Sequence, residues 1–192
     1  MADTIHDVIL LTGHSPSSPG SRNPGPTMLP RDDTYEYHFN YAIADQVGKR
    51  LTRADSGLTC RTEVYAGGDN PFRRWQDRSR LLVELHCGSA SGKPEGPRSG
   101  TEVLYRATDG TAKKAAQLMQ GILVAELGLP DLGVRAVDAD ARGAHIIHGV
   151  NQVALLPQPF FIDNDDDFAV AQETDFVALY VKAINAVLAN LQ

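Results

Sequence analysis

The stretch VILLTGHS, residues 8–15, decides how the rest of the chain is read. A short run of branched apolar residues without polar alternation reads as a strand buried on both faces, with DVILLT (7–12) as its extent. The run stops at Gly13 and presents His14 at the strand's exit. The next residues, SPSSPGSRNPGPTMLPRDD (15–33), are dense in Pro, Gly and Ser. A loop this long in a compact domain usually carries function.

Outward from that strand, Thr34 is a plausible N-cap for a helix over 35–53, where Phe39, Ile43, Val47 and Leu51 form one apolar stripe. LTCRTEVY (58–65) alternates as a second strand. AGGDNPFRRWQDRSR (66–80) reads as a turn with a short basic helix, and LLVELHC (81–87) as a third strand. SASGKPEGPRSG (89–100) is a second irregular loop, followed by a strand at TEVLYRA (101–107). TAKKAAQLMQGILVAEL (111–127) is a helix stopped by Gly128. VRAVDAD (134–140) and QVALLPQ (152–158) are strands five and six, and TDFVALYVKAINAVLANLQ (174–192) closes the chain as an amphipathic helix.

Strands alternating with helices predict an α/β domain spanning 1–192. The expected core is a mostly parallel or mixed twisted sheet of about six strands, with helices on both faces. Sites in such sheets gather beyond the strand ends. His14 and His86 both stand at strand exits beside Gly-rich loops, 15–33 and 88–100, which are expected to wall a substrate groove.

Composition narrows the function. A net charge of −6 argues against nucleic acid as a partner. No apolar run approaches the ~20 residues needed to cross a bilayer, so membrane insertion is not expected. MADTIHDVILLTG lacks the basic start of a signal peptide. Synthesis in the cytoplasm, with action elsewhere after release by another agent, is the expectation. Cys60 and Cys87 make no disulfide framework and no CxxC pair, so any metal site draws on histidine and carboxylate. His145 and His148 in RGAHIIHG (142–149) are three apart, but the flanking glycines favour a turn or strand over a metal-binding helix.

The order of motifs then resembles the zinc-dependent N-acetylmuramoyl-L-alanine amidases, in the branch shared by bacterial cell-wall hydrolases and phage endolysins. LTGHS (11–15) is similar to that family's first-histidine turn. EYHFN (36–40) matches a glutamate opening a helix with asparagine four positions on, Glu36 and Asn40. ELHCG (84–88) keeps His86 of an S-x-H-x-N pattern, with Glu84 and Gly88 in the flanking places. GTEVLYRATDG (100–110) and PFFIDNDDDF (159–168) resemble the family's later strand and its closing E-x-x-F-x-x-N-x-x-D region. The likeness runs from about Val8 into the C-terminal helix.

The resemblance implies that His14, Glu36 and His86 hold Zn2+, three ligands that leave a fourth position for water. It implies a peptidoglycan substrate, cut between N-acetylmuramic acid and L-alanine of the stem peptide, and a phage endolysin acting on the cell wall. The sequence leaves the oligomeric state open, with a monomer favoured. The family's general base is a glutamate, and its place here is held by Gln158. Glutamine keeps the shape but cannot take and return a proton, so the chain as written is expected to be slow. Glu84 is a candidate substitute base, since a strand residue two before His86 shares its face. Orienting an imidazole is its other reading. The acidic residues Asp163 and Asp165–Asp167 are expected to cap and start the turn that follows. The alternatives are a muropeptide-binding pseudoenzyme and another zinc amidohydrolase or carboxypeptidase.

Overall fold

The computed structural model describes residues 5–20, 35–53, 57–64, 75–90, 98–139 and 145–191. The elements run β1 (His6–Thr12), α1 (Glu36–Leu51), β2 (Cys60–Val64), β3 (Ser79–Leu85), β4 (Thr101–Arg106) and α2 (Gly110–Leu127). They continue with β5 (Asp131–Val137), α3 (His145–Gly149), β6 (Val153–Gln158), α4 (Asp165–Glu173) and α5 (Phe176–Asn190). The six strands form one mixed sheet in the order β2-β1-β3-β6-β4-β5. β1 is parallel to β2 and β3, and β3 to β6, whereas β4 is antiparallel to β6 and parallel to β5. β4 runs the other way because the chain leaves β3 at one edge of the sheet and re-enters at the same edge.

Both sheet faces are apolar, which is why β1 and β3 show no alternation. On one face Val8, Leu10, Leu81, Val83, Val103 and Leu155 pack under α1, α2 and α5. On the other, Ile9, Leu11, Leu82, Leu104, Ala154 and Leu156 pack against Trp75 and against Ile146 and Ile147 of α3. Helices therefore cover both faces, with α1, α2, α5 and Ala171 of α4 contributing to one core and the short α3 to the other. Ile43, Val47 and Leu51 are buried as their spacing predicts, with Phe39 packed against them. Gly128 ends α2 in the left-handed conformation at φ 66°, which a residue without Cβ adopts at little cost.

Several expectations are corrected. The N-cap residue of α1 is Tyr35, which makes no side-chain capping bond; Thr34 lies outside the described residues. Of the 66–80 segment, read as a turn with a short basic helix, residues 66–74 lie outside the described residues. Trp75–Asp77 is a turn, and Ser79 and Arg80 already belong to β3. β5 begins at Asp131, because the ladder with β4 captures residues of poor strand propensity. Residues 145–149 are a short helix, neither turn nor strand. His148 Nε2 lies 2.9 Å from the Val137 carbonyl, engaged with backbone. The Asp165–Asp167 run opens a helix, α4, where only a turn was expected. Its cap is Asn164, whose side chain accepts from the amides of Asp166 and Asp167. Residues 21–33 and 91–97, the middles of the two long loops, lie outside the described residues. Among the described residues no helix is long and apolar enough to cross a membrane.

Candidate metal centre

The site is assembled at the ends of β1 and β3 by short backbone devices. Gly13 N–H donates to the Leu85 carbonyl at 3.0 Å, carrying the β1–β3 pairing one step past the strands. His14 then takes φ 67°, an uncommon conformation for a residue with a Cβ and one that recurs at functional sites. Ser15 and Ser18 exchange backbone hydrogen bonds in a tight turn, and the Pro19 carbonyl accepts from Tyr37 N–H at 2.9 Å. That bond satisfies a donor at the open start of α1. It also brings the chain after His14 against Glu36, the first residue of the helix.

Glu36 is buried and shared. Its Oε2 lies 3.2 Å from His14 Nε2, and its Oε1 lies 2.8 Å from His86 Nδ1. Oε1 also accepts from Cys87 N–H at 2.8 Å. His86 follows β3 directly, and its backbone N–H donates to the Pro157 carbonyl at 3.3 Å. The two imidazole rings meet edge to face at 5.1 Å. One ligand atom each from His14, Glu36 and His86 lies within 4.8 Å of the others. The sequence-predicted trio is thus brought together.

The buried carboxylate and imidazole groups balance one another's charge, and a bound cation would take the place of the imidazole proton. Burial opposes ionisation of Glu36, yet the hydrogen bonds from His14 and His86 hold its pKa down at about 2. Burial likewise opposes a charge on His86, and the negative charge of Glu84, followed by the bond to Glu36, outweighs it and lifts the pKa to about 10. Two glycines leave the space open. A Cβ on Gly13 would sit 2.2 Å from Cε1 of His86. One on Gly20 would sit 2.6 Å from Cδ2 of His14 and 2.9 Å from Glu36 Oε2. Two imidazoles and one carboxylate in a cradle that a methyl group would fill are a donor set suited to zinc. Sequence reasoning marked Gly13 only as the end of the apolar run and passed over Gly20, whose place inside a Pro-rich loop was the available signal.

The remaining site residues fall close by. Gln158 ends β6 and is paired in register with Glu102 of β4. By alternation it shares a sheet face with Ala154 and Leu156, the face on which Glu84 follows Leu82. Glu84 Oε1 lies 3.3 Å from His86 Nε2, the nitrogen turned away from Glu36. Glu102 is held by Arg135 Nε at 2.9 Å. Asn40 is fully buried and points its Nδ2 toward Cys87 Sγ at 3.8 Å.

The turn after Gln158 clamps the neighbouring loop. Asp163 accepts from Ala90 N–H at 2.9 Å and from Ser89 Oγ at 3.0 Å. Asn164 Nδ2 donates to the Arg98 carbonyl at 3.1 Å. Asp167, fully buried, accepts from Ser99 Oγ, Gly100 N–H and Phe161 N–H. Gly88 pairs with Phe161, so the segments after His86 and after Gln158 run side by side.

Residues 8–190 match the family model described as N-acetylmuramoyl-L-alanine amidase. No curated protein matches the chain significantly. Among solved structures, the catalytic domain of the CD27L endolysin targeting Clostridia difficile superposes with a TM-score of 0.70 at 18% identity, covering 96% of this chain and 97% of that one. The catalytic domain of CwlV, an N-acetylmuramoyl-L-alanine amidase from Bacillus (Paenibacillus) polymyxa var. colistinus, gives 0.69 at 19% identity over 96% and 97%. The N-acetylmuramoyl-L-alanine amidase from Clostridium difficile 630 gives 0.71 at 16% identity over 99% and 98%. At these identities the likeness to solved structures is one of fold.

Proposed function

The chain belongs to the N-acetylmuramoyl-L-alanine amidase family, and from that premise we propose that it is a zinc-dependent peptidoglycan amidase in the role of a phage endolysin. The bond addressed is the amide joining N-acetylmuramic acid to L-alanine. The observation that carries this reading is the convergence of His14 Nε2, the Glu36 carboxylate and His86 Nδ1 in one glycine-backed cradle. When bound there, zinc would supply Lewis acidity to the scissile carbonyl and the attacking water. The chain's own part is to hold three ligands rigidly and to present Gln158 at the adjoining strand end.

Gln158 sets the expected rate. Its amide can hydrogen-bond a water or the substrate, but it cannot accept a proton and return it to the departing amine. The chain as written therefore binds zinc and muropeptide and hydrolyses slowly. The second reading, a muropeptide-binding pseudoenzyme, is favoured by the same residue. Digestion of purified peptidoglycan, with identification of the new termini, separates the two. Free L-alanine amines, appearing slowly with the chain as written and about 10²–10⁴-fold faster with Gln158→Glu, support the amidase. No new termini with either protein leaves the binder. Full activity without the substitution would put the base elsewhere.

A further inference from the structure

We propose that Glu84 is a positioning residue for His86, accepting the Nε2 proton so that Nδ1 turns its lone pair to the metal. The inference rests on the zinc reading above and deepens it at one ligand. Glu84 is 7% exposed, and a carboxylate so buried needs a donor. Its Oε1 lies 3.3 Å from His86 Nε2, within ion-pair distance, so that nitrogen is the polar group of His86 it faces. The other ring nitrogen lies 2.8 Å from Glu36 Oε1, on the side where His14 also arrives.

A neutral imidazole carries one N–H, and the partner of that N–H decides which nitrogen is free to ligate. With Gly13 lying against the ring, the Glu84 contact fixes both its tilt and its tautomer. The family pattern has serine in this place, a weaker acceptor without charge. The same geometry removes Glu84 from the role of substitute base. Its oxygen sits on the edge of the ring that faces away from the ligand cluster, so it acts through His86 and leaves the proton-transfer position to Gln158.

Zinc affinity is measured by chelator competition for the chain as written and for His14→Ala, Glu84→Ala and Glu84→Gln. The His86 tautomer is read by long-range ¹H–¹⁵N NMR of the zinc-loaded protein. The expected results are an Nε2–H tautomer and a loss of about 10–100-fold in affinity in Glu84→Ala. Glu84→Gln should lose far less, because its amide oxygen still accepts. An Nδ1–H tautomer overturns the proposal. So does an unchanged affinity in Glu84→Ala while His14→Ala abolishes binding, an outcome that leaves the zinc reading standing. If the chain as written takes up no zinc, both fall. Should Glu84→Ala fail to fold, the tautomer in the chain as written and in Glu84→Gln decides.

Discussion

Gly13 shows how much a missing side chain can hold. A methyl group there would overlap the His86 ring, with 2.2 Å to Cε1, and the ring could only swing away from Glu36. Gly13→Ala should therefore fold normally, by circular dichroism, while binding about an order of magnitude less zinc or worse, as with other losses of ligand support. Asp7 gives a pH prediction. The backbone hydrogen bond from Thr59 leads the causes that lower its pKa below 3.8, helped by Thr59 Oγ1 and Arg80. A carboxyl depressed in the folded state stabilises above its unfolded pKa and loses that contribution as pH falls through the folded value. Urea titrations should find Asp7→Asn less stable at pH 7, with the gap closing below about pH 4. A gap constant down to pH 2 would contradict the assignment. That His14, Glu36 and His86 come together was legible through the family resemblance, with two strand exits and a helix start as the places the sequence marks. For Glu84 the sequence left two readings open, substitute base and imidazole partner, because alternation puts it on a face with His86 but says nothing about which ring nitrogen it meets.

At the scale of elements, long periodic segments declared themselves and short ones did not. α1, α2 and α5 each present an apolar stripe through several turns. α3 has five residues, too few for a period to show, and exists because Ile146 and Ile147 plug the second core. α4 hid behind three successive aspartates, which read as a turn until Asn164 is seen capping them. The acids there also suit the positive end of the helix dipole. Asp167 ties this element to the site. Its carboxylate takes the backbone N–H groups of Gly100 and Phe161 in a fully buried position. Asp167→Ala leaves both donors unpaired, at ~1–3 kcal/mol each. Chemical denaturation should show a loss of at least about 2 kcal/mol, whereas a loss under ~0.5 kcal/mol would mean the clamp is redundant.

For the whole molecule, the α/β class and the six strands follow from the sequence, which left open whether the sheet is mostly parallel or mixed, and it is mixed. Nothing local to TEVLYR states that β4 runs against β6; that depends on where residues 86–100 return. The same return gathers β1, β3, β6 and the start of β4 at one edge, so a metal held there would couple to folding. A ligand that binds only the native state stabilises it by about 4 kcal/mol at a thousand-fold excess over its Kd. For a domain of this size each kcal/mol moves Tm by ~2–4 °C. Chelation should thus lower Tm by roughly 8–16 °C under such loading, and His86→Ala should show no shift. Equal shifts in both proteins would place the metal elsewhere.

The clamp formed by Asp163, Asn164 and Asp167 has a consequence for engineering. It grips the loop on both sides of 91–97, at Ser89 and Ala90 before it and at Arg98, Ser99 and Gly100 after it. Whatever sequence is inserted between those stems starts and ends at fixed points beside His86 and Gln158. Substitutions between Ala90 and Arg98 should therefore leave zinc affinity at His14, Glu36 and His86 unchanged, which chelator competition on such variants would check.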